Sequence, residues 1–170
     1  MRYLAISLTV LALTAPARVL SADDAPMRSE ELQVLDSYVG TWDCVVTDKA
    51  TAKESNSVEE RRWSRKGTFV LFENFDLTAK KESHYLMTYD PNAKVYRTCY
   101  IDDSITMSLL GTWDARTKTM TWRGKDSNDN RVSGTERFID EDNLQWSLVG
   151  TNPDGKVVGE FSGKQTRRKK

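Results

Sequence analysis

Any chemistry that needs an imidazole must run through His84, the one histidine among 170 residues. It stands in Glu82-Ser83-His84-Tyr85-Leu86, where its alternation with Leu86 is that of a strand residue of no special role. A serine nucleophile would need a Gly-x-Ser-x-Gly elbow, and the nearest string, Gly159-Glu160-Phe161-Ser162-Gly163, has the wrong spacing. One histidine and two distant cysteines, Cys44 and Cys99, do not complete a four-ligand zinc set. Asp126, Asn128 and Asn130 fall at the alternate positions of a calcium loop. Arg131 then replaces its obligatory glycine and Arg137 its closing glutamate, so a polar hairpin turn is the better reading. Gly124-Lys125 is followed by Asp and Gly163-Lys164 by Gln, which rules out a phosphate-binding glycine loop. No catalytic residue and no metal ligand is assigned, and no cofactor is expected.

Paired carboxylates are harder to set aside, because 25 acidic residues could place two in any cavity. Most of them gather in turn strings, where Asp is favoured for its bonds to nearby backbone. What remains is binding chemistry. Tyr85, Trp122 and Trp146 sit in alternating strings that could wall an apolar cavity, and Arg97 could supply a charge. Two facings are open for Arg97. If Cys99 points inward, Val95, Arg97 and Ile101 follow it, and Glu73 on the third strand is its natural partner. If Tyr96, Thr98 and Tyr100 point inward, Arg97 is a surface residue.

These residues need elements to hold them. Residues 1–22 form a segment apart, with Arg2, the apolar run Leu4-Ala5-Ile6-Ser7-Leu8-Thr9-Val10-Leu11-Ala12-Leu13, a break at Pro16 and small residues before Ala22. That is a secretory signal peptide, and the run is too short for a bilayer span. Its removal leaves 23 basic against 25 acidic residues. So even a balance argues against a nucleic-acid partner or a membrane-surface patch. A single domain over residues 23–166 and a basic tail over 167–170 follow, with no further membrane span. The setting is secreted or periplasmic.

Ser29 caps one short helix, with Glu30 and Glu31 in its first turn and Leu32, Leu35 and Val39 at helical spacing. Gly40 ends it. Beyond it the period changes to two. Runs rich in Val, Ile, Thr and aromatics predict strands at about 41–47, 57–65, 69–76, 82–89, 95–102, 105–111, 119–124, 131–139, 144–150 and 157–166, split by strings such as Asp90-Pro91-Asn92-Ala93-Lys94. Ten strands, tight turns and no crossover helix make an antiparallel meander, and closure into an up-and-down barrel removes its two edges. The fold class is all-β, one barrel behind one short helix. Cys44 on the first strand and Cys99 on the fifth then lie across the barrel. A disulfide needs Cα atoms within about 7 Å, so they are not expected to pair.

Gly40-Thr41-Trp42-Asp43 after a short helix resembles the Gly-x-Trp signature of lipocalins and their calycin relatives. The resemblance implies that Trp42 closes the barrel base and that a basic residue of the last strand, Arg167 or else Lys164, lies over it. The Tyr89-Asp90-Pro91 turn, the string from Tyr96 to Ser104, a second Gly-x-Trp at Gly111 and Trp113, and the late string Arg137 to Asn143 resemble a family of exported bacterial domains of unknown function with a lipocalin-like barrel. The resemblance implies a fold and no activity. Haem-holding relatives use a histidine on a late strand, whereas His84 is on the fourth, so haem is not expected.

The residues thus favour a barrel that binds a small apolar or amphipathic molecule, through Tyr85, Arg97, Trp122 and Trp146. Two alternatives stay open: a solidly packed barrel that engages another envelope protein, and a hydrolase using cavity carboxylates or His84.

Overall fold

The computed structural model describes residues 28–169. The signal-peptide expectation for residues 1–22 lies outside them, as does Lys170. The chain opens with α1 (Glu30–Gln33), continued by a 3-10 turn over Val34–Tyr38. Ten strands follow: β1 (Gly40–Asp48), β2 (Lys53–Trp63), β3 (Val70–Asp76), β4 (Lys81–Asp90), β5 (Val95–Ile101), β6 (Thr106–Asp114), β7 (Thr119–Asp126), β8 (Arg131–Phe138), β9 (Asn143–Thr151) and β10 (Val157–Arg167). Each pairs antiparallel with its chain neighbours, and β1 pairs with β10, so the meander closes into a barrel. The expected all-β barrel of ten strands behind one short helix is what forms. The helix is shorter than its apolar spacing suggested, because its second half tightens to 3-10 geometry.

The hairpins share one local device. Asp48, Asp76, Asp90, Asp102, Asp114, Asp126 and Asp140 each accept, through Oδ1, the backbone N–H two residues on, at 2.7–3.0 Å. The Thr51 and Thr117 hydroxyls, and then these backbone bonds, hold the carboxyls of Asp48 and Asp114 below the usual range, and the Ala93 N–H, then Arg97, does the same for Asp90. The acidic residues of the turn strings are therefore spent on chain reversal. Three hairpins end the idiom with a left-handed lysine, Lys80, Lys94 and Lys118, at φ 59, 53 and 51.

Registers fix the facing. Trp42, Cys44, Glu59, Arg61, Phe72, Tyr85, Tyr96, Tyr100, Trp122, Glu136, Trp146 and Gln165 share the inner face through successive cross-strand pairs. At one end the barrel is filled. Leu35 and Tyr38 of the helical segment pack with Trp42, Val70, Phe72, Met120 and Leu144, none more than 2% exposed. Ring centroids of Phe138 and Tyr38 lie 4.9 Å apart, edge to face. The helical segment is also tied down by two side-chain bonds. Tyr96 Oη donates to the Glu31 carbonyl at 2.9 Å, and Trp63 Nε1 donates to Asp36 at 2.8 Å.

Two expectations change. Arg97 faces outward, because the register puts Tyr96, Thr98 and Tyr100 inside. Its Nε donates to Asp90 at 2.9 Å, and its side chain is about half exposed on the outer face. The basic tail starts later than residue 167. Arg167 is the last residue of β10, and Arg168 clamps the carboxylate of Asp43 with bonds of 2.6–3.0 Å.

Candidate functional site

Trp42 is held from three sides. Its Nε1 donates to the Tyr38 carbonyl at 2.8 Å. The Arg167 guanidinium lies 4.2 Å from the ring and donates to the carbonyls of Val39, Ser37 and Glu141. A second guanidinium, that of Arg61, lies 4.7 Å from the same ring. Gly40 opens β1 at φ +137, and any Cβ there would also meet Arg167. Gly40, Trp42 and Arg167 are thus the closing device of the barrel base and belong to architecture.

Above this floor the interior turns polar. The side chains of Arg61 and Glu59 are 3% and 1% exposed and pair at 3.0 Å through Nη2 and Oε2. Gln165 bridges them, accepting from Arg61 Nη2 and donating to Glu59 Oε2 at 3.2 Å. Burial works against the charge on Arg61, yet Glu59 outweighs it and holds the group above its ordinary value. Cys44 Sγ lies 3.7 Å from Glu59 Oε2. Burial, and then Glu59, push its thiol up to about 12, so it is inert. On the opposite wall Glu136 Oε2 accepts from Tyr38 Oη at 2.9 Å and from Trp122 Nε1 at 3.1 Å. Burial raises its carboxyl above the usual range. Burial, followed by the Glu136 charge, does the same to the Tyr38 phenol.

The bonds do not account for every polar atom. Glu59 Oε1, Arg61 Nε, Arg61 Nη1 and Trp146 Nε1 are buried without a hydrogen-bond partner among the described residues. Each such group costs about 1–3 kcal/mol if left so. They come from β2 and β9, with β10 and β1 between, so they face one side of the interior.

Space reaches this level. Inward residues of the far half of the barrel, among them Val46, Asn74, Tyr100, Met107 and Leu148, are partly exposed although they face the axis. Tyr85, Glu136 and Trp146, midway down, are partly exposed as well. That end is open to water, whereas the helical end is filled. The sequence makes this room with inward glycines. Trp122 lies flat against Gly111 and Trp146 against Gly163, where an added Cβ would run into the indole. Each tryptophan is pressed to the wall instead of across the lumen.

Of the expected site residues, Tyr85, Trp122 and Trp146 all face the barrel interior, from β4, β7 and β9. The rings of Tyr85 and Tyr100 are 5.5 Å apart, and those of Tyr85 and Phe72 are 4.9 Å apart. Arg97 does not join them. Arg61 is the interior arginine, and Glu59, Glu136 and Gln165 are its polar company. Glu73, offered as a partner for Arg97, is outside and pairs with Arg62 at 2.8 Å. His84 is exposed on the outer face. Cys44 is buried inside and Cys99 is exposed outside, and both are free thiols. Among the described residues no cluster of His, Cys, Asp and Glu is grouped as a metal site would be. Two outer grooves, of about 650 and 490 Å³, flank the helical segment and share Val34, Trp113 and Ala115. Neither groove is lined by the unpartnered interior atoms.

A ten-strand meander floored by a Gly-x-Trp indole under an arginine, with a helical plug and an open far end, is a lipocalin-like barrel. Residues 28–167 match the family model described as Protein of unknown function (DUF1579), and the chain belongs to that family. No curated protein matches it. Among solved structures, Rv2717c from M. tuberculosis is similar at 15% identity and TM-score 0.59, over 83% of this chain and 99% of that one. The S-type phycobiliprotein lyase CPES from Guillardia theta is similar at 11% identity and TM-score 0.55, over 84% and 95%. At such identities the likeness is one of fold.

Proposed function

We propose that this protein is a binding protein for a small amphipathic molecule. The ligand enters the open end and lies between Tyr85, Tyr100, Trp122 and Trp146, with its polar group directed at Glu59, Arg61 and Trp146. One observation carries the reading: the buried hydrogen-bonding atoms of these three residues lack partners beside a water-accessible, aromatic-walled interior. Apolar walls with a few convergent polar atoms are the usual build of a small-molecule site. Among the described residues no metal cluster is grouped at the site and its one thiol, Cys44, is held protonated, so retention rather than turnover is the activity we propose. We further propose that the mature chain works outside the cytoplasm, on the pattern of residues 1–22.

N-phenyl-1-naphthylamine, a neutral fluorescent amphiphile, tests the reading. The wild-type protein is expected to bind it with quenching of tryptophan emission, and Leu148→Trp, which narrows the open half, to weaken the effect at least several-fold. A wild type that leaves the probe's emission unchanged overturns the reading.

A further inference from the structure

The reading above leaves the head group open, and the interior polar atoms constrain it. Glu59 Oε1 is a buried acceptor without a donor. Both bonds to Glu136 go to Oε2, which leaves its Oε1 free to accept. Arg61 Nε, Arg61 Nη1 and Trp146 Nε1 are donors without an acceptor. Glu136 pairs across the ladder with Trp146, and Trp146 with Gly163, two residues from the Gln165 that bridges Glu59 and Arg61. We propose that the site selects an amphiphile with an uncharged head that both donates and accepts hydrogen bonds, a primary amide or a hydroxyl, and that Glu136 is the residue that turns carboxylates away. This rests on the interior being a ligand site.

A carboxylate accepts only, so it leaves the oxygens of Glu59 and Glu136 facing an anion. An alkylammonium donates only, so although Glu136 attracts its charge it leaves the donors of Arg61 and Trp146 unmet and sets a cation beside a guanidinium. The inward charges at this depth are Glu59, Glu136 and Arg61, and Arg61 is already paired to Glu59. Among the described residues a buried anion would find its cation taken and a second carboxyl opposite, since the other arginine of the inward phase, Arg167, is held over Trp42 at the floor. An amide meets both sets of atoms with no added charge. Its N–H groups reach the carboxyl oxygens and its carbonyl accepts from Arg61 or Trp146.

The test compares three ligands of one chain length, dodecanamide, dodecanoate and dodecylamine, by titration calorimetry at pH 8 with N-phenyl-1-naphthylamine displacement in parallel. Wild type is expected to bind the amide at least about tenfold more tightly than either charged ligand, given the cost of a like charge at short range in a poorly screened interior. Glu136→Gln, isosteric and uncharged, is expected to close most of the gap for dodecanoate and to widen the gap for dodecylamine, which loses an attracting carboxylate. Trp146→Phe, which keeps the ring and loses the N–H, is expected to weaken the amide several-fold and guards against a misfolded Glu136 variant. Dodecanoate binding as tightly as the amide in wild type overturns the selectivity while the binder stands. A selective wild type whose preference survives Glu136→Gln overturns the role given to Glu136. Failure of all three ligands and of the naphthylamine probe removes the binding site itself.

Discussion

The Glu59–Arg61 pair offers a perturbation whose outcome can be worked from its surroundings. Both side chains are almost wholly enclosed and are linked at 3.0 Å. Glu59→Leu leaves the guanidinium with Gln165 and three aromatic rings, 4.7–5.8 Å away, as its only company. Arg61→Met leaves a buried carboxylate with the Gln165 amide and the Cys44 thiol. Breaking such a pair from one side costs about 3–5 kcal/mol, because one charge stays buried and unmatched. For a domain of this size that lowers Tm by roughly 10–20 °C. The double variant Glu59→Leu/Arg61→Met removes both charges and keeps apolar volume. It is expected to be neutral or up to about 4 kcal/mol more stable than wild type. Urea unfolding followed by tryptophan emission gives all four corners of the cycle, with strong coupling between the sites. Single variants within about 1 kcal/mol of wild type, or additive effects, would mean that the pair is solvated, and the description of a buried ion pair would fail.

Three further outcomes follow from named contacts. Gly163→Ala drives a Cβ into the Trp146 indole, so stability should fall by about 1–3 kcal/mol and tryptophan emission should shift, as fluorescence-detected denaturation will show. Lys118→Gly relieves a left-handed residue at φ 51. Relief of about 1–2 kcal/mol, less the greater chain entropy of glycine, should raise Tm slightly, and a fall in Tm would contradict the turn geometry. For Glu136 the sign is set by a folded-state pKa above the unfolded one. Its contribution to stability is complete below the ordinary glutamate range and is lost as pH rises through the folded value. Glu136→Gln should match wild type in mild acid and exceed it at neutral pH in denaturation curves taken across that window.

Strand positions were readable in the chain because Asp opens most hairpins and glycine or lysine closes them, so the period-two runs are cleanly cut. The facing of each strand was harder to read. In Tyr96-Arg97-Thr98-Cys99-Tyr100-Ile101 both parities mix apolar with polar residues, and only pairing with Tyr85 and Gly111 decides that the tyrosines go inside. Glu59-Glu60-Arg61-Arg62 looks like a wetted strand. Alternation splits it into an inner pair, Glu59 with Arg61, and an outer Arg62 bonded to Glu73. The missed signal was parity, since Trp63 shares the phase of Arg61 and Glu59. Glu136 was hidden in the same way between Gly134 and Phe138, on the phase of Val132. Charged residues in apolar phase are the trace that a polar interior leaves in a barrel sequence.

The indole N–H resonances of the five tryptophans offer the most direct measurement, by two-dimensional nitrogen–proton NMR during titration with dodecanamide. Trp146 Nε1 is unpartnered and Trp122 Nε1 borders the same space, whereas Trp42 Nε1 is bonded into the floor and Trp113 lines the outer grooves. The account predicts saturable shifts of Trp146, with a smaller one at Trp122, and stationary Trp42 and Trp113. Shifts confined to Trp113, or a Trp146 resonance that does not move at saturating ligand, would contradict a binding site inside the barrel.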